Sequence, residues 1–499
     1  MLVKRVLSGA MSLAIAASAF ASPAAGVFAQ SRTQTNAPGT WGSAILIQNV
    51  GTATLTADQY SIDFYTSAGT GPTTLTPPTG ADIAAGASKE FYIPNSTAVT
   101  LDPGQYSAVV NSAQPVKAVV NSSTDHATAA PWSAFSYEGI DSADAKTKLY
   151  FPGFYKNYYG FQSELVIQNT GTIAATVQAT FYNGHTGAVV GPIQLGSIAA
   201  YAAVTFSGND ALFPNTSLPS GTADSIWSVV VESTNGVNLA GVSNIWTESV
   251  SDAGVSSYNA SGTGNQKLYA GAIYNQYYGF VSSLTLQNVS ATEVANGTIR
   301  YSNGITQSFT IPSNRVKEVF VPNVPNIGTK DTDKLLAAEI TATSGSLVGL
   351  VNIQRKAAGS LTTSDPSNPA LGSYNTATAA STSVRVPAIY ANYYGYFTAV
   401  TVQNTNLTQP ADTILTYADG TTWKQTIPPG ETRNFDHLPT TSGNPLALAT
   451  NVQTGGTITA TQPVVVVIQH NSDRALTTAK AKFFPNDFLF ALSGFPQLP

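Results

Sequence analysis

Short runs in which apolar and polar residues alternate recur along this 499-residue chain. The segment Ala174-Thr-Val-Gln-Ala-Thr-Phe shows the period of two, and other runs are rich in Val, Ile, Thr, Tyr and Phe with turn residues between them. This alternation is typical of an antiparallel sheet that packs one face on a core and turns the other to water. No sustained helical period follows the N-terminal segment. The pattern therefore predicts an all-β protein.

A Gln-Asn pair that closes an apolar run marks an internal repeat. The pair occurs four times, and successive Asn residues are 120, 119 and 116 positions apart. Such constant spacing indicates four copies of one unit of about 118 residues. The anchor residues are Asn49, Asn169, Asn288 and Asn404.

Other features keep register with these anchors. Asn-Gly or Asp-Gly pairs follow three of them, and these pairs are strong hairpin signals because both residues tolerate positive φ. A late apolar strand ends in Asn121, Asn244 and Asn352, with His470 at a similar distance in the fourth copy. Ser-Tyr pairs at Tyr137, Tyr258 and Tyr374 close three copies. Three anchors are also preceded by an aromatic block, which contains Tyr155, Tyr158, Tyr159; Tyr274, Tyr277, Tyr278; and Tyr390, Tyr393, Tyr394.

Each copy offers seven or eight short strands, which predicts four tandem immunoglobulin-like antiparallel β-sandwiches. The first copy has only Trp41-Gly42 in place of the aromatic block, and the last lacks the Ser-Tyr pair. Because terminal units of a linear array differ from internal ones, we expect a finite rod with two distinct ends. The predicted units are a signal peptide at 1–29, repeat 1 at 30–148, repeat 2 at 149–268, repeat 3 at 269–384 and repeat 4 at 385–499.

The N-terminus has the features of a secretory signal peptide. Lys4 and Arg5 precede an apolar stretch from Val6 to Phe20, and the small-x-small rule allows cleavage after Ala21 or after Ala29. We prefer Ala29, because small residues occupy both key positions and Gln30 follows. A retained anchor is the alternative, but the apolar stretch is short for a membrane span. The prediction is a secreted or cell-surface protein without a transmembrane anchor.

Composition narrows the classes of function. Only 10% of the residues are charged, the net charge is −5, and there is no cysteine. The absence of a basic block argues against nucleic acid, and the absence of cysteine removes disulfides and thiolate sites. The four histidines do not have metal-ligand spacing, and the pairs Asp141, Asp144 and Asp331, Asp333 are only fragments of a calcium loop. We therefore predict no enzyme activity, no catalytic residue, no metal and no cofactor.

Two features of the sequence, the aromatic block and the anchor Asn, each allow two interpretations. The tyrosines of the aromatic block either pack in a seam between repeats, where a large apolar ring with a polar tip suits a half-wet interface, or form a platform for sugar rings. The anchor Asn either starts a turn by bonding nearby backbone, or forms an amide bridge to the late-strand Asn of its own copy.

The string Tyr-Tyr-Gly-Phe-x-Ser-x-Leu-x-x-Gln-Asn, at 158–169 and 277–288, resembles repeats in proteins exported by filamentous bacteria. Each copy also has a segment that runs from an Ile through a turn to a strand ending in Phe, at 83–91, 198–206, 311–320 and 427–435, and this segment resembles adhesion-type immunoglobulin-like domains. The resemblance implies a structural or adhesive role at the cell surface, in an S-layer, sheath or extracellular matrix. Self-association or cell-envelope polysaccharide would be the partner. The alternative is a carbohydrate-binding surface protein that uses the tyrosines between repeats.

Overall fold

The computed structural model describes residues 24–30, 41–124, 134–207, 226–247, 254–277, 279–328, 335–355, 370–393, 395–449, 451–472 and 489–496. Within these ranges the chain forms β-strands, a few single-turn 3-10 segments and no α-helix. The prediction of an all-β fold is confirmed. The physical basis is the frequent β-branched and aromatic residues, which pack well on a pleated surface.

The strands fall into four groups, which are called repeats 1 to 4; the first strands of repeats 2, 3 and 4 begin one, two and four residues before the predicted boundaries at 149, 269 and 385. In repeat 1 they are β1 (Ala24–Gln30), β2 (Trp41–Asn49), β3 (Tyr60–Thr66), β4 (Thr73–Leu75), β5 (Ser88–Tyr92), β6 (Gln105–Ser112), β7 (Val116–Thr124), β8 (Ala134–Glu138) and β9 (Ile140–Asp141). In repeat 2 they are β10 (Lys148–Tyr158), β11 (Phe161–Asn169), β12 (Ala175–Asn183), β13 (Val189–Ile198), β14 (Ala203–Ser207), β15 (Ile226–Ser233), β16 (Leu239–Thr247) and β17 (Val255–Asn259).

Repeats 3 and 4 use the same succession of strands. Repeat 3 contains β18 (Lys267–Tyr277), β19 (Phe280–Asn288), β20 (Ala295–Tyr301), β21 (Thr306–Ile311), β22 (Val316–Phe320), β23 (Leu335–Ala342), β24 (Leu347–Arg355) and β25 (Ala370–Asn375). Repeat 4 contains β26 (Ser381–Ala391), β27 (Tyr396–Asn404), β28 (Ala411–Tyr417), β29 (Thr422–Ile427), β30 (Thr432–Asp436), β31 (Val452–Ser472), β32 (Leu489–Ser493) and β33 (Phe495–Pro496). The long β31 covers the positions of two strands in the other repeats.

Each repeat is an antiparallel sandwich. In repeat 2 the first sheet has the order β13-β12-β15-β10, and the second joins β14, β11, β16 and β17. Repeat 3 has the equivalent order β21-β20-β23-β18 and β22, β19, β24, β25. In repeat 2 the first strand pairs with one sheet from Lys148 to Tyr155, with a bulge between Phe151 and Phe154, and with the other sheet at its end. Apolar side chains from both sheets fill the space between them.

A tyrosine closes this bulge in the two central repeats. The backbone N–H of Gly153 donates to the Tyr258 hydroxyl at 3.2 Å, and that hydroxyl donates to the Gly153 carbonyl at 2.9 Å. Tyr374 makes the same pair of bonds with Ala272, at 3.1 and 2.8 Å. A bulge leaves ladder groups without strand partners. The Ser-Tyr pairs therefore supply the missing partners at buried positions.

The four repeats close into a ring, so the prediction of a rod with two ends is wrong. Every hydrophobic core includes side chains from the next repeat: Val166 joins the core of repeat 1, Leu350 that of repeat 2, Val467 that of repeat 3, and Leu46 that of repeat 4. The last step joins repeat 4 to repeat 1. The physical reason is that the second strand of each repeat is buried on both faces, one against its own core and one against the preceding repeat.

The last strands β8, β17, β25 and β32 meet where the four repeats converge. Their equivalent end residues are hydrogen-bonded around this centre. Asn259 Nδ2 donates to the Glu138 carbonyl at 2.9 Å, and Asn375 Nδ2 donates to the Asn259 carbonyl at 2.8 Å. Ser493 Oγ donates to the Asn375 carbonyl at 2.8 Å, and the Ser493 N–H donates to Glu138 Oε1 at 2.7 Å. These bonds link all four repeats into one closed circuit.

The strand β1 overlaps the predicted signal peptide. It pairs with β6 from Ala24↔Val110 to Gln30↔Gln105, which is the pairing that β10 makes with β15 in repeat 2. Cleavage after Ala29 would remove most of this strand, whereas cleavage after Ala21 would keep all of it. If the predicted leader is cleaved, retention of β1 requires cleavage after Ala21 and not after Ala29. Residues 1–23, which hold the rest of the predicted leader, lie outside the described ranges.

Candidate functional site

Three tyrosines of the aromatic blocks lie in the seams between repeats. Each comes from the first strand of one repeat and reaches an amide on the late strand of the following one. Asn352 Nδ2 donates to Tyr155 Oη at 2.8 Å, Tyr274 Oη donates to Gln469 Oε1 at 2.6 Å, and Asn121 Nδ2 donates to Tyr390 Oη at 2.6 Å, the last of these across the ring closure. All three rings are buried.

A hydroxyl group fixes the backbone of each of these tyrosines. The N–H groups of Tyr155 and Tyr274 donate to Ser163 and Ser282 at 2.9 Å, and that of Tyr390 donates to Thr398 at 2.7 Å. The three hydroxyl residues stand five positions before the anchor Gln in their repeats. The sequence analysis did not assign them a role, although their constant spacing was visible in the repeat.

Two seams also contain a half-buried carboxylate. Tyr158 Oη donates to Glu318 Oε2 at 2.7 Å in the seam between repeats 2 and 3. In the seam between repeats 4 and 1, Tyr390 and Tyr393 donate to the two oxygens of Glu90 at 3.2 and 3.1 Å. Burial raises the pKa of both carboxyl groups, and the bonds from the tyrosines oppose that rise. Sequence reasoning missed both glutamates, because each is a single acidic residue in an otherwise ordinary strand.

The seam between repeats 1 and 2 is built differently. Asn244 is equivalent to Asn121 and Asn352, but its Nδ2 donates to Glu164 Oε1 of its own repeat at 2.7 Å. Across this seam Gln105 Nε2 donates to Thr205 at 2.6 Å, and the rings of Tyr65 and Tyr201 stack at 5.1 Å. Glu164 thus satisfies the amide that a tyrosine satisfies elsewhere. The segment 31–40, just before β2, lies outside the described ranges.

Two further tyrosines of the aromatic blocks are less buried than the three that reach a late-strand amide. Tyr159 is 62% exposed, and Tyr277 is half-buried with its ring stacked on Tyr274 at 5.6 Å. Tyr278 and Tyr394 lie outside the described residues. A role of the tyrosines in glycan contact stays a prediction.

The anchor asparagines start turns. Asn169 Nδ2 donates to the carbonyls of Ile173 at 2.7 Å and Ile198 at 2.9 Å, while its Oδ1 accepts the N–H of Gly171. The other three anchors, Asn49, Asn288 and Asn404, make the equivalent set of bonds. The alternative amide bridge is not formed, because the late-strand amides point into the seams.

The late strand of repeat 4 has a different register from the predicted one. Its partner positions show that Gln469 opposite Ala399, not His470, matches Asn352 opposite Ser283. His470 faces the interior instead, where its Nδ1 lies 2.8 Å from Thr398 Oγ1. Burial lowers the pKa of His470 to about 3, so this histidine is a neutral hydrogen-bonding group at physiological pH.

A cavity of about 620 Å³ opens at the seam between repeats 2 and 3. Its walls include four aromatic residues, Tyr155, Tyr158, Tyr159 and Phe161. Polar groups from repeat 3, among them Glu318, Gln307 and Asn352, face these rings. The volume is that of a pocket for a small molecule.

No group of three or more potential metal ligands occurs in the described ranges, and Asp331 and Asp333 lie outside them. The same ranges contain no helix with the length and apolar character of a membrane span.

Comparison with known proteins adds little. No family model matches the chain, and no curated protein matches it. Among solved structures, the Thermotoga maritima protein 1070 is 16% identical, with 23% of this chain and 94% of that one covered at a TM-score of 0.18. The Anabaena sensory rhodopsin transducer is 23% identical over 19% of this chain and 90% of that one, at a TM-score of 0.15. The BSP domain of a biofilm associated protein covers 96% of this chain and 97% of its own, with 8% identity and a TM-score of 0.15. Scores this low carry no argument about function.

Proposed function

We propose that this chain is an exported structural or adhesive protein that acts at the cell surface through passive, repeated contacts. The leader-like N-terminus and the weakly charged, Thr-, Ser- and Asn-rich composition support export. The observation that carries the proposal is the presence of a strand with a free edge in each repeat of one rigid ring. Such a ring offers the same kind of contact several times.

The free edges belong to β4, β13, β21 and β29, each of which ends its sheet among the described residues. A terminal strand presents backbone donors and acceptors that a strand of another molecule can pair with. On β21 the exposed side chains are Thr306, Ser308 and Thr310, which are uncharged and compatible with such pairing. The edge of β29 carries Lys424, a charge that discourages it. Assembly through a subset of edges would therefore be directional.

Sedimentation velocity and electron microscopy of the purified protein test this proposal. Concentration-dependent oligomers, sheets or fibres are expected, and Ser308→Lys should reduce them. Thr298→Lys is the matched control, because Thr298 is exposed directly opposite Ser308 on the interior strand β20. A monomer at every concentration would contradict the proposal, and equal assembly of the two variants would contradict the choice of the β21 edge.

Binding of carbohydrate is the second candidate, and the exposed ring of Tyr159 beside the cavity favours it. Aromatic faces on loops are common in binding sites. Cell-wall polysaccharide should then bind to the intact protein in a pull-down or on a glycan array, and Tyr159→Ala should weaken binding. Unchanged binding by that variant would remove this candidate, because the other tyrosines of the seams are largely buried.

A further inference from the structure

The cavity between repeats 2 and 3 has a wall of aromatic faces. The rings of Tyr155 and Tyr158 stack at 5.7 Å with an angle of 16°, and Phe161 lies 6.0 Å from Tyr155. Tyr159 stands edge-on to Tyr158 at 4.8 Å and is largely exposed at the mouth. All four of these aromatic residues belong to repeat 2, and the short turn between β10 and β11 positions them.

The opposite side of the cavity carries a carboxyl group that the protein leaves without a strong counter-ion. Glu318 is half-buried there and accepts hydrogen bonds from Tyr158 and Ser283. No Lys or Arg lines the cavity, and no described residue forms an ion pair with Glu318. Within the described ranges, the exposed His185 acts on Glu318 electrostatically and opposes the rise in its pKa. Gln307 also lines the cavity, and its buried Oε1 has no hydrogen-bond partner among the described residues.

A carboxylate that is partly removed from water and has no counter-ion is costly, and a cation beside it would relieve that cost. Aromatic faces attract cations through the negative face of the ring, most strongly where water is excluded. A neutral sugar could use the acceptors but would leave the charge of Glu318 without a partner. We infer that this cavity binds a small organic cation whose ammonium group lies between the tyrosine faces and Glu318. This inference goes beyond the proposed surface role and does not depend on it.

The seam between repeats 4 and 1 has the same construction, but both oxygens of its glutamate accept hydrogen bonds from tyrosines. There Glu90 occupies the strand position of Glu318, but its two oxygens take the phenols of Tyr390 and Tyr393. Glu318 receives one phenol, that of Tyr158, together with the hydroxyl of Ser283, because the phenol of Tyr155 is bonded to Asn352. The two seams therefore supply a matched pair of half-buried glutamates, of which one faces the cavity.

Isothermal titration calorimetry of the full chain with choline and n-butylammonium tests the inference. 3,3-Dimethyl-1-butanol, which has the shape of choline without its charge, and glucose serve as neutral probes. At least one cation should bind, the neutral probes should bind at least about tenfold more weakly, and Glu318→Gln should weaken cation binding by about tenfold. Glu90→Gln should leave it unchanged. Affinity should also rise as the pH rises above the ordinary carboxyl value of 4.5, because burial raises the pKa of Glu318 and the bound cation favours its charged form.

Tyr159→Ala provides a second variant that keeps the seam intact, since its ring is 62% exposed. It should weaken cation binding several-fold without lowering the melting temperature. Failure of both cations to bind, equal binding of the neutral isostere, or equal loss in Glu90→Gln and Glu318→Gln would each overturn the inference. None of these results bears on whether separate molecules associate through their strand edges, so the two proposals fail separately.

Discussion

Glu138 is the one ionisable side chain in the hydrogen-bonded circuit at the centre of the ring. Asn259, Asn375 and Ser493 hold the equivalent positions in the other repeats. Burial raises the pKa of Glu138 to about 7, while the N–H of Ser493 and the charge of Lys117 oppose the rise. Replacement by Gln keeps the shape and an acceptor for Ser493 but removes the titration. We therefore expect Glu138→Gln to stabilise the protein at alkaline pH.

The sign and size follow from proton linkage. The unfolded chain releases the proton of Glu138 near the ordinary value of 4.5, whereas the folded chain holds it to about pH 7. The folded state therefore binds more protons between these values, and its stability falls as pH rises through this window and then levels off. A difference of this size corresponds to about 3 kcal/mol above pH 7. The variant should gain that amount at pH 8 and little at pH 4.

Urea unfolding of the wild type and the variant at pH 4 to 8 measures this difference directly. Subtracting the two curves removes the contributions of other buried groups, such as Glu90 and Glu318. Glu232→Gln is a suitable control, because Glu232 forms an exposed pair with Lys148 at 3.3 Å that should contribute less than about 1 kcal/mol. A pH-independent difference between the wild type and Glu138→Gln, or a variant less stable at pH 8, would refute the reasoning.

Three further predictions concern the ring closure, a buried histidine and the N-terminus. Asn121→Ala and Tyr390→Phe remove two partners of one bond 269 positions apart, so a double-mutant cycle in urea should give a coupling of about 0.5–3 kcal/mol, and additive effects would contradict the closure. Burial lowers the pKa of His437 to about 4, so stability should fall as pH drops from 6.5 toward 4, and an NMR titration giving a pKa above 6 would contradict this. If the chain is exported as proposed, the mature protein should begin at Ser22, and a mass that places the N-terminus at Gln30 would contradict the role of β1.

The sequence pattern was sufficient to predict the strands but not their larger arrangement. Alternation identifies strands with one wet face, such as β12. The anchor runs, for example Ile45-Leu46-Ile47, do not alternate, because their second face is covered by another repeat. That continuity was a visible sign of a second buried face. Which repeat covers it depends on the angle between neighbours, and that angle is set by side-chain packing that one sequence does not reveal.

The seam residues show a second limit. The tyrosine spacing indicated a junction, but the structure shows that these rings contact the following repeat and not the preceding one. In repeat 4 the choice between Gln469 and His470 turned on a register difference of one residue, which moves a side chain to the other face of a strand. Glu164 could not be assigned either, because its role appears only when the missing tyrosine of repeat 1 is set beside Asn244.

Small-angle X-ray scattering tests the closed ring most directly. A compact particle of this length has a radius of gyration of about 25 Å, by the scaling for folded chains. Four sandwiches in a line, each about 35 Å long from strands of nine to eleven residues, would form a rod near 140 Å with a radius of gyration of about 40 Å. The ring predicts the smaller value and a distance distribution with a single compact maximum. A value near that of the rod would contradict the contact between repeats 4 and 1, and with it the architecture described above.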